Sequence, residues 1–148
     1  MGIEEKINAD IKTAMLAKEQ GKLEALRAIK SAVILLKTSP EGLTEESAMK
    51  SLQKEVKKRR ETAEIYKQQN RMDLADVETF QANVIETYLP KQMSEAEVRT
   101  ALQKIISETG AASPADMGKV MGVATKSLAG KADGKLISTI VRELLAAK

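Results

Sequence analysis

The 148-residue chain has no cysteine, no histidine and no tryptophan, and its 2% aromatic content is confined to Tyr66, Phe80 and Tyr88. Without cysteine there are no disulfides, and without histidine as well the usual ligands of zinc, haem and iron–sulfur clusters are missing. No metal and no cofactor is therefore expected. The same two absences bear on catalysis, because glutamine hydrolysis and acyl transfer normally use a Cys or Ser nucleophile with a base held beside it. A Ser–Lys pairing of Ser127 with Lys126 or Lys131 is formally available, but helical serines and surface lysines are too common to define a site. The eight glycines are scattered and none follows a predicted strand, so phosphate-loop and dinucleotide signatures are missing too.

Long apolar runs are also lacking. The opening Met1-Gly2-Ile3-Glu4-Glu5-Lys6 is charged at once, unlike a signal peptide, and Lys6 stands where a myristoylation signal needs Ser or Thr. The expectation is a cytoplasmic protein that does not engage a membrane and does not carry a complete active site of its own.

Hydrophobic residues make up 43% of the chain and charged ones 30%, the balance of a folded protein. With so few aromatics the core has to be built from Leu, Ile, Val, Met and Ala, a set that favours helices. Ile3, Ile7, Ile11, Ala14 and Met15 recur at three- and four-residue steps and predict a first helix ending near Gly21. Leu23, Leu26, Ile29, Val33 and Leu36 predict a second, stopped by the turn-forming Ser39-Pro40-Glu41-Gly42. Thr44 caps a long third helix carrying Ala48, Leu52, Val56, Ala63 and Tyr66. A fourth carries Leu74, Val77, Phe80, Val84 and Ile85 and closes at Leu89-Pro90, since proline disfavours helical geometry in the residue before it.

Beyond Met93, Ser94-Glu95-Ala96-Glu97 is a capping box for a helix that stops at Gly110. Ser113-Pro114-Ala115-Asp116 opens another with apolar Met117, Val120, Met121, Ala124 and Leu128. Asp133 caps a last helix whose Leu136, Ile137, Ile140, Val141, Leu144 and Leu145 face inward. The predicted fold is all-α, with an N-terminal four-helix subdomain over residues 1–90 and a small C-terminal three-helix subdomain over 91–148.

Charge is uneven between these halves. Residues 1–90 carry 15 basic and 15 acidic side chains and residues 91–148 carry 9 and 6, so the whole excess of +3 lies in the C-terminal part. There, Lys119, Lys126, Lys131 and Lys135 have little nearby acid besides Asp116 and Asp133. Gly130 and Gly134 flank a helix start, where free amides and small side chains would let a phosphate backbone approach. These six residues form the candidate RNA-binding surface, although both glycines also suit an ordinary turn. A secondary basic face is Lys50, Lys54, Lys57 and Lys58 on the third helix, with Glu55, Glu61 and Glu64 near enough to pair with it and Arg59 and Arg60 extending outward. The acidic pairs Glu45–Glu46 and Glu95–Glu97 are read as helix-start residues and not as catalytic carboxylates.

Three stretches, Leu26-Arg27-Ala28-Ile29-Lys30-Ser31-Ala32, Tyr88-Leu89-Pro90-Lys91-Gln92-Met93-Ser94-Glu95 and Asp116-Met117-Gly118-Lys119-Val120-Met121, together resemble the GatB/YqeY family. Gly130-Lys131-Ala132-Asp133-Gly134-Lys135 completes the likeness to the C-terminal signature, and Glu55-Val56-Lys57-Lys58-Arg59-Arg60 is similar to the corresponding segment of the family. The resemblance implies a stand-alone relative of the tail that the GatB polypeptide carries in aspartyl/glutamyl-tRNA amidotransferase. That tail is associated with tRNA recognition, while amidation and glutamine hydrolysis belong to other domains and subunits. It therefore implies tRNA as a partner, a link by family to carbon–nitrogen ligase activity with glutamine as amide donor, and no catalytic residue in this chain. The competing expectation is a module that docks on an amidotransferase or another enzyme.

Overall fold

The computed structural model describes residues 2–147, and among these the chain is all-helical, with seven α-helices and no strand. It divides after Pro90 into two compact units.

The first unit holds α1 (Ile3–Leu16), α2 (Gln20–Lys37), α3 (Glu45–Gln68) and α4 (Met72–Glu86). Ile7, Leu26, Ile29, Val33, Leu52 and Ile85 are buried to within 2% and form its core, with Tyr88 and Leu89 packed against the edge. Burying side chains of this size stabilises the fold by about 1.5–3 kcal/mol each before chain entropy is counted. Thr44 caps α3 as expected, accepting from the Ser47 amide at 3.0 Å while the Ser47 hydroxyl accepts from the Thr44 amide at 2.8 Å. At the far edge the Tyr88 hydroxyl donates to Asp10, and the Lys6 ammonium lies 4.7 Å from the centre of the Tyr88 ring.

Several expectations for this unit need correction. α1 ends at Leu16, where Lys18 at φ 57° makes the reversal, and Gly21 already lies inside α2. Gly21 matters through its missing side chain instead: a Cβ there would come within 3.3 Å of the Phe80 ring. Val77 and Phe80 do not face inward but are 49% and 48% exposed, and α4 buries Ala75, Gln81, Ala82 and Ile85. Alanines at 63, 75 and 82 leave room for α3 and α4 to pack closely along their length. α4 also stops at Glu86, before the proline.

Arg59 and Arg60 do not extend outward either. The Arg59 guanidinium donates to Gln81, lies 3.4 Å from Glu78 and 3.7 Å from Glu55, and Gln81 in turn donates to Glu24 of α2 at 3.4 Å. Arg60 reaches Asn83 at 3.1 Å and pairs with Glu86. The reason is register: residues 59 and 60 sit on the flank of α3 that meets the carboxylates of α4, whereas 50, 54, 57 and 58 point to solvent.

The second unit holds α5 (Glu95–Thr109), a short 3-10 turn (Pro114–Asp116), α6 (Met117–Ser127) and α7 (Gly134–Ala146). Its separate core is Val98, Leu102, Ile105, Ile106, Val120, Ala124, Ile137, Ile140, Val141 and Leu145. The Ser94 box forms as expected, and α5 ends at Gly110 in the left-handed conformation at φ 71°. Pro114 starts the 3-10 turn and not α6, because the Asp116 carboxylate folds back onto the amides of Ala112 and Ser113 at 2.9 and 3.3 Å.

Arg59 is four-fifths enclosed and satisfies partners on two helices. Arg59→Ala is expected to lower unfolding stability by about 1–3 kcal/mol, since Gln81 and Glu78 lose their donor. Lys54→Ala on the exposed face should stay within about 0.5 kcal/mol of wild type. Urea unfolding followed by circular dichroism checks both.

Candidate nucleic-acid interface

Lys119 and Lys126 are seven residues apart on α6, two helical turns, and so project from the same face roughly 10 Å apart along the axis. Gly122 and Val123 are exposed between them. Lys131 lies in the connection after α6, and Lys135 is the second residue of α7. All four lysines are exposed, and among the described residues none of them joins an ion pair.

They are left unpaired because the carboxylates of this unit are engaged elsewhere. Glu97 serves the Ser94 amide, Asp116 the amides of Ala112 and Ser113, and Asp133 the Lys135 amide at 3.3 Å. Glu95 and Glu143 lie 3.9 and 2.8 Å from Arg99, and Glu108 lies 3.9 Å from Lys104. Every acidic residue of 91–147 thus has an internal partner. The amides of Ala112 and Ser113 hold the Asp116 carboxyl below the usual carboxylate range, with Lys119 adding a smaller pull in the same direction. Hydrogen bonds with Ser94 do the same for Glu97.

The two glycines differ in role. Gly130 is buried with φ 76°, a left-handed turn that a side chain would strain. Gly134 opens α7 with no atom within 4 Å of where a Cβ would stand, so nothing inside the chain demands glycine there. At that helix start the Asp133 carboxylate takes one of the first amides, that of Lys135. Sequence reasoning also missed the contacts that hold the connection after α6. The Gln92 side-chain amide donates to the Gly130 carbonyl at 2.6 Å, and the Met93 amide donates to the Lys131 carbonyl at 2.9 Å. Residues 38 apart leave no local signal of such pairing, whereas Ser113 and Asp116 stand at capping-box spacing and were open to recognition.

The secondary basic face is smaller than its sequence suggests. Lys50, Lys54, Lys57 and Lys58 are all exposed on α3, but Lys50 pairs with Glu46 at 3.1 Å and Lys57 is also engaged. Carboxylates of α3 and α4 surround the run on its other side.

The N-terminal unit has an open groove of about 530 Å³ lined by Ile3, Glu4, Lys6, Thr44, Glu45 and Tyr88, among others. Burial, and then the hydrogen bond to Asp10, raises the Tyr88 phenol above its ordinary range, so it stays protonated at neutral pH. That is the opposite of what an activated nucleophile needs. No group of three or more Asp or Glu with metal-binding geometry occurs among the described residues, and none of their helices is long and apolar enough to cross a membrane.

The fold and surface define an all-helical protein whose C-terminal unit presents unpaired lysines from α6 and the start of α7. The chain belongs to the family described as Yqey-like protein, whose model matches residues 4–145. It is 31% identical over 97% of its length to the Altered inheritance of mitochondria protein 41, mitochondrial, of Pyrenophora tritici-repentis, of which the match covers 81%. Proteins of the same name from Meyerozyma guilliermondii and Clavispora lusitaniae are 32% and 30% identical over 69% of the chain. There the match spans 55% and 61% of the relative's length. The mitochondrial names of these relatives overturn the cytoplasmic expectation. That expectation rested on the lack of a secretory or membrane-spanning signal, a pattern that says nothing about organelle import.

Because Asp116 and Glu97 are more acidic in the folded chain than in an unfolded one, the stability they contribute is full above the ordinary carboxylate range. It is lost as pH falls through their lowered folded values. Asp116→Asn is therefore expected to be less stable than wild type at pH 7, with a gap that closes toward about pH 3, measured by thermal unfolding across that range.

Proposed function

We propose that this chain is an RNA-binding accessory protein whose C-terminal subdomain, residues 91–148, holds the phosphate backbone of tRNA, as its likeness to the amidotransferase tail implies. The observation that carries this reading is the set of lysines at 119, 126, 131 and 135, exposed and without ion pairs in a unit whose carboxylates are all engaged. The contact is made to backbone and shape, because the unit has no aromatic side chain on which a base could stack. Any amidation chemistry belongs to a partner enzyme, and the mitochondrial names of the relatives support a role in that organelle.

A second reading is docking on an amidotransferase or another enzyme, favoured by a groove of about 440 Å³ between α2 and α3. Ala28, Ala32 and Leu36 line it, and Leu35 stands 69% exposed at its edge. The acidic outer residues of α3 and α4 make that region unsuited to RNA, so the two readings use different surfaces.

Titration against bulk tRNA and against duplex DNA of similar length, each at low and physiological salt, separates them. The RNA reading expects preference for tRNA, and Lys131→Glu should weaken binding by about three- to tenfold while reducing the salt dependence. Binding that is absent, or equal for both nucleic acids and lost at physiological salt, would hand the case to docking.

A further inference from the structure

We infer that Gln92 is a positioning residue for the cationic surface: it clamps the connection between α6 and α7 so that Lys131 and Lys135 are presented in a fixed arrangement. This rests on the RNA-binding reading and adds to it a segment far away in sequence.

The connection is short and has to satisfy several backbone groups at once. Gly130 turns it with a positive φ, and the Lys131 amide bonds back to the Leu128 carbonyl at 3.0 Å. Ala132 is buried at 7% and pins the chain to the core, after which Asp133 begins α7. Two carbonyls of the connection, those of Gly130 and Lys131, are met by the segment that precedes α5. Gln92 donates its side-chain amide to the first at 2.6 Å, and Met93 its backbone amide to the second at 2.9 Å. Met93 also packs on the core of this unit, which fixes the approach of the segment.

The Met93 bond survives any side-chain replacement, so the part that sequence can alter is the Gln92 bond. A glutamine is suited to it, because its amide donates where a carboxylate cannot. With this donor gone, the buried Gly130 carbonyl loses its side-chain partner and the turn can open toward solvent. Lys131 then samples more positions, and a phosphate must order it again on binding, which weakens affinity.

The test compares wild type, Gln92→Ala and Gln92→Glu in the full chain. Amide hydrogen exchange is followed at residues 129–133 together with the melting temperature and tRNA affinity, and with Lys131→Glu as a reference for loss of the charge itself. Both variants should exchange faster at the Lys131 amide and bind tRNA about three- to tenfold more weakly, a loss of the size expected for one hydrogen bond. Exchange in the α5 and α7 core should stay as in wild type, which a general loss of folding would not allow. Unchanged exchange at 129–133, or faster exchange with unchanged affinity in a protein that Lys131→Glu does impair, overturns the positioning role. Wild type that fails to bind tRNA removes the RNA reading and this role with it, a result told apart by the wild-type titration alone.

Discussion

The C-terminal unit is governed by what its carboxylates are already doing. Helix starts need acceptors for their first amides, and here Glu97, Asp116 and Asp133 supply them for α5, the 3-10 turn and α7. The other acidic residues, Glu95, Glu108 and Glu143, lie against Arg99 and Lys104. Short helices in so small a unit depend on such caps, and forming them leaves the lysines of α6 and the start of α7 without partners. That these lysines stand without ion pairs is thus a consequence of local helix chemistry. The basic run of α3, which looks denser in sequence, is partly neutralised in contrast: Glu55, Glu78 and Glu86 cap nothing and meet Arg59 and Arg60.

Much of the fold was legible because caps and apolar periods are local. Thr44, Ser94 and Asp133 mark helix starts by side-chain chemistry within a few residues, and Gly110 marks a stop by its conformation. The stripes of α2 and α7 match the buried residues almost position by position. α4 was misread because two faces compete on it. Of the stripe Leu74, Val77, Phe80, Val84 and Ile85, Ile85 is buried and Val84 packs on the core, but Val77 and Phe80 stand exposed, because the helix is held from the side that carries Ala75, Ala82 and the polar Gln81. Small and polar residues are weak signals of burial, and Gln81 enters the interior only because Arg59 and Glu24 receive it. Neither partner can be inferred from the sequence around residue 81.

The candidate surface was legible as charge but not as architecture. Counting acid and base found the lysines. What composition could not show was where these lysines stand on the elements, two on α6, one in the connection after it and one at the start of α7. Nor could it show that the turn at Gly130 is braced by Gln92. Family membership spans residues 4–145, and the relatives named for mitochondria point to a setting that the sequence of the chain did not disclose.

Whether the unpaired lysines between residues 119 and 135 are the surface that meets RNA is tested most directly by an amide chemical-shift map of the full chain, titrated with tRNA at physiological salt. Perturbations are expected to concentrate on α6, the 128–133 connection and the first turn of α7, with α3 and α4 little changed. Shifts centred on residues 50–58, or spread evenly over both units, would contradict that assignment.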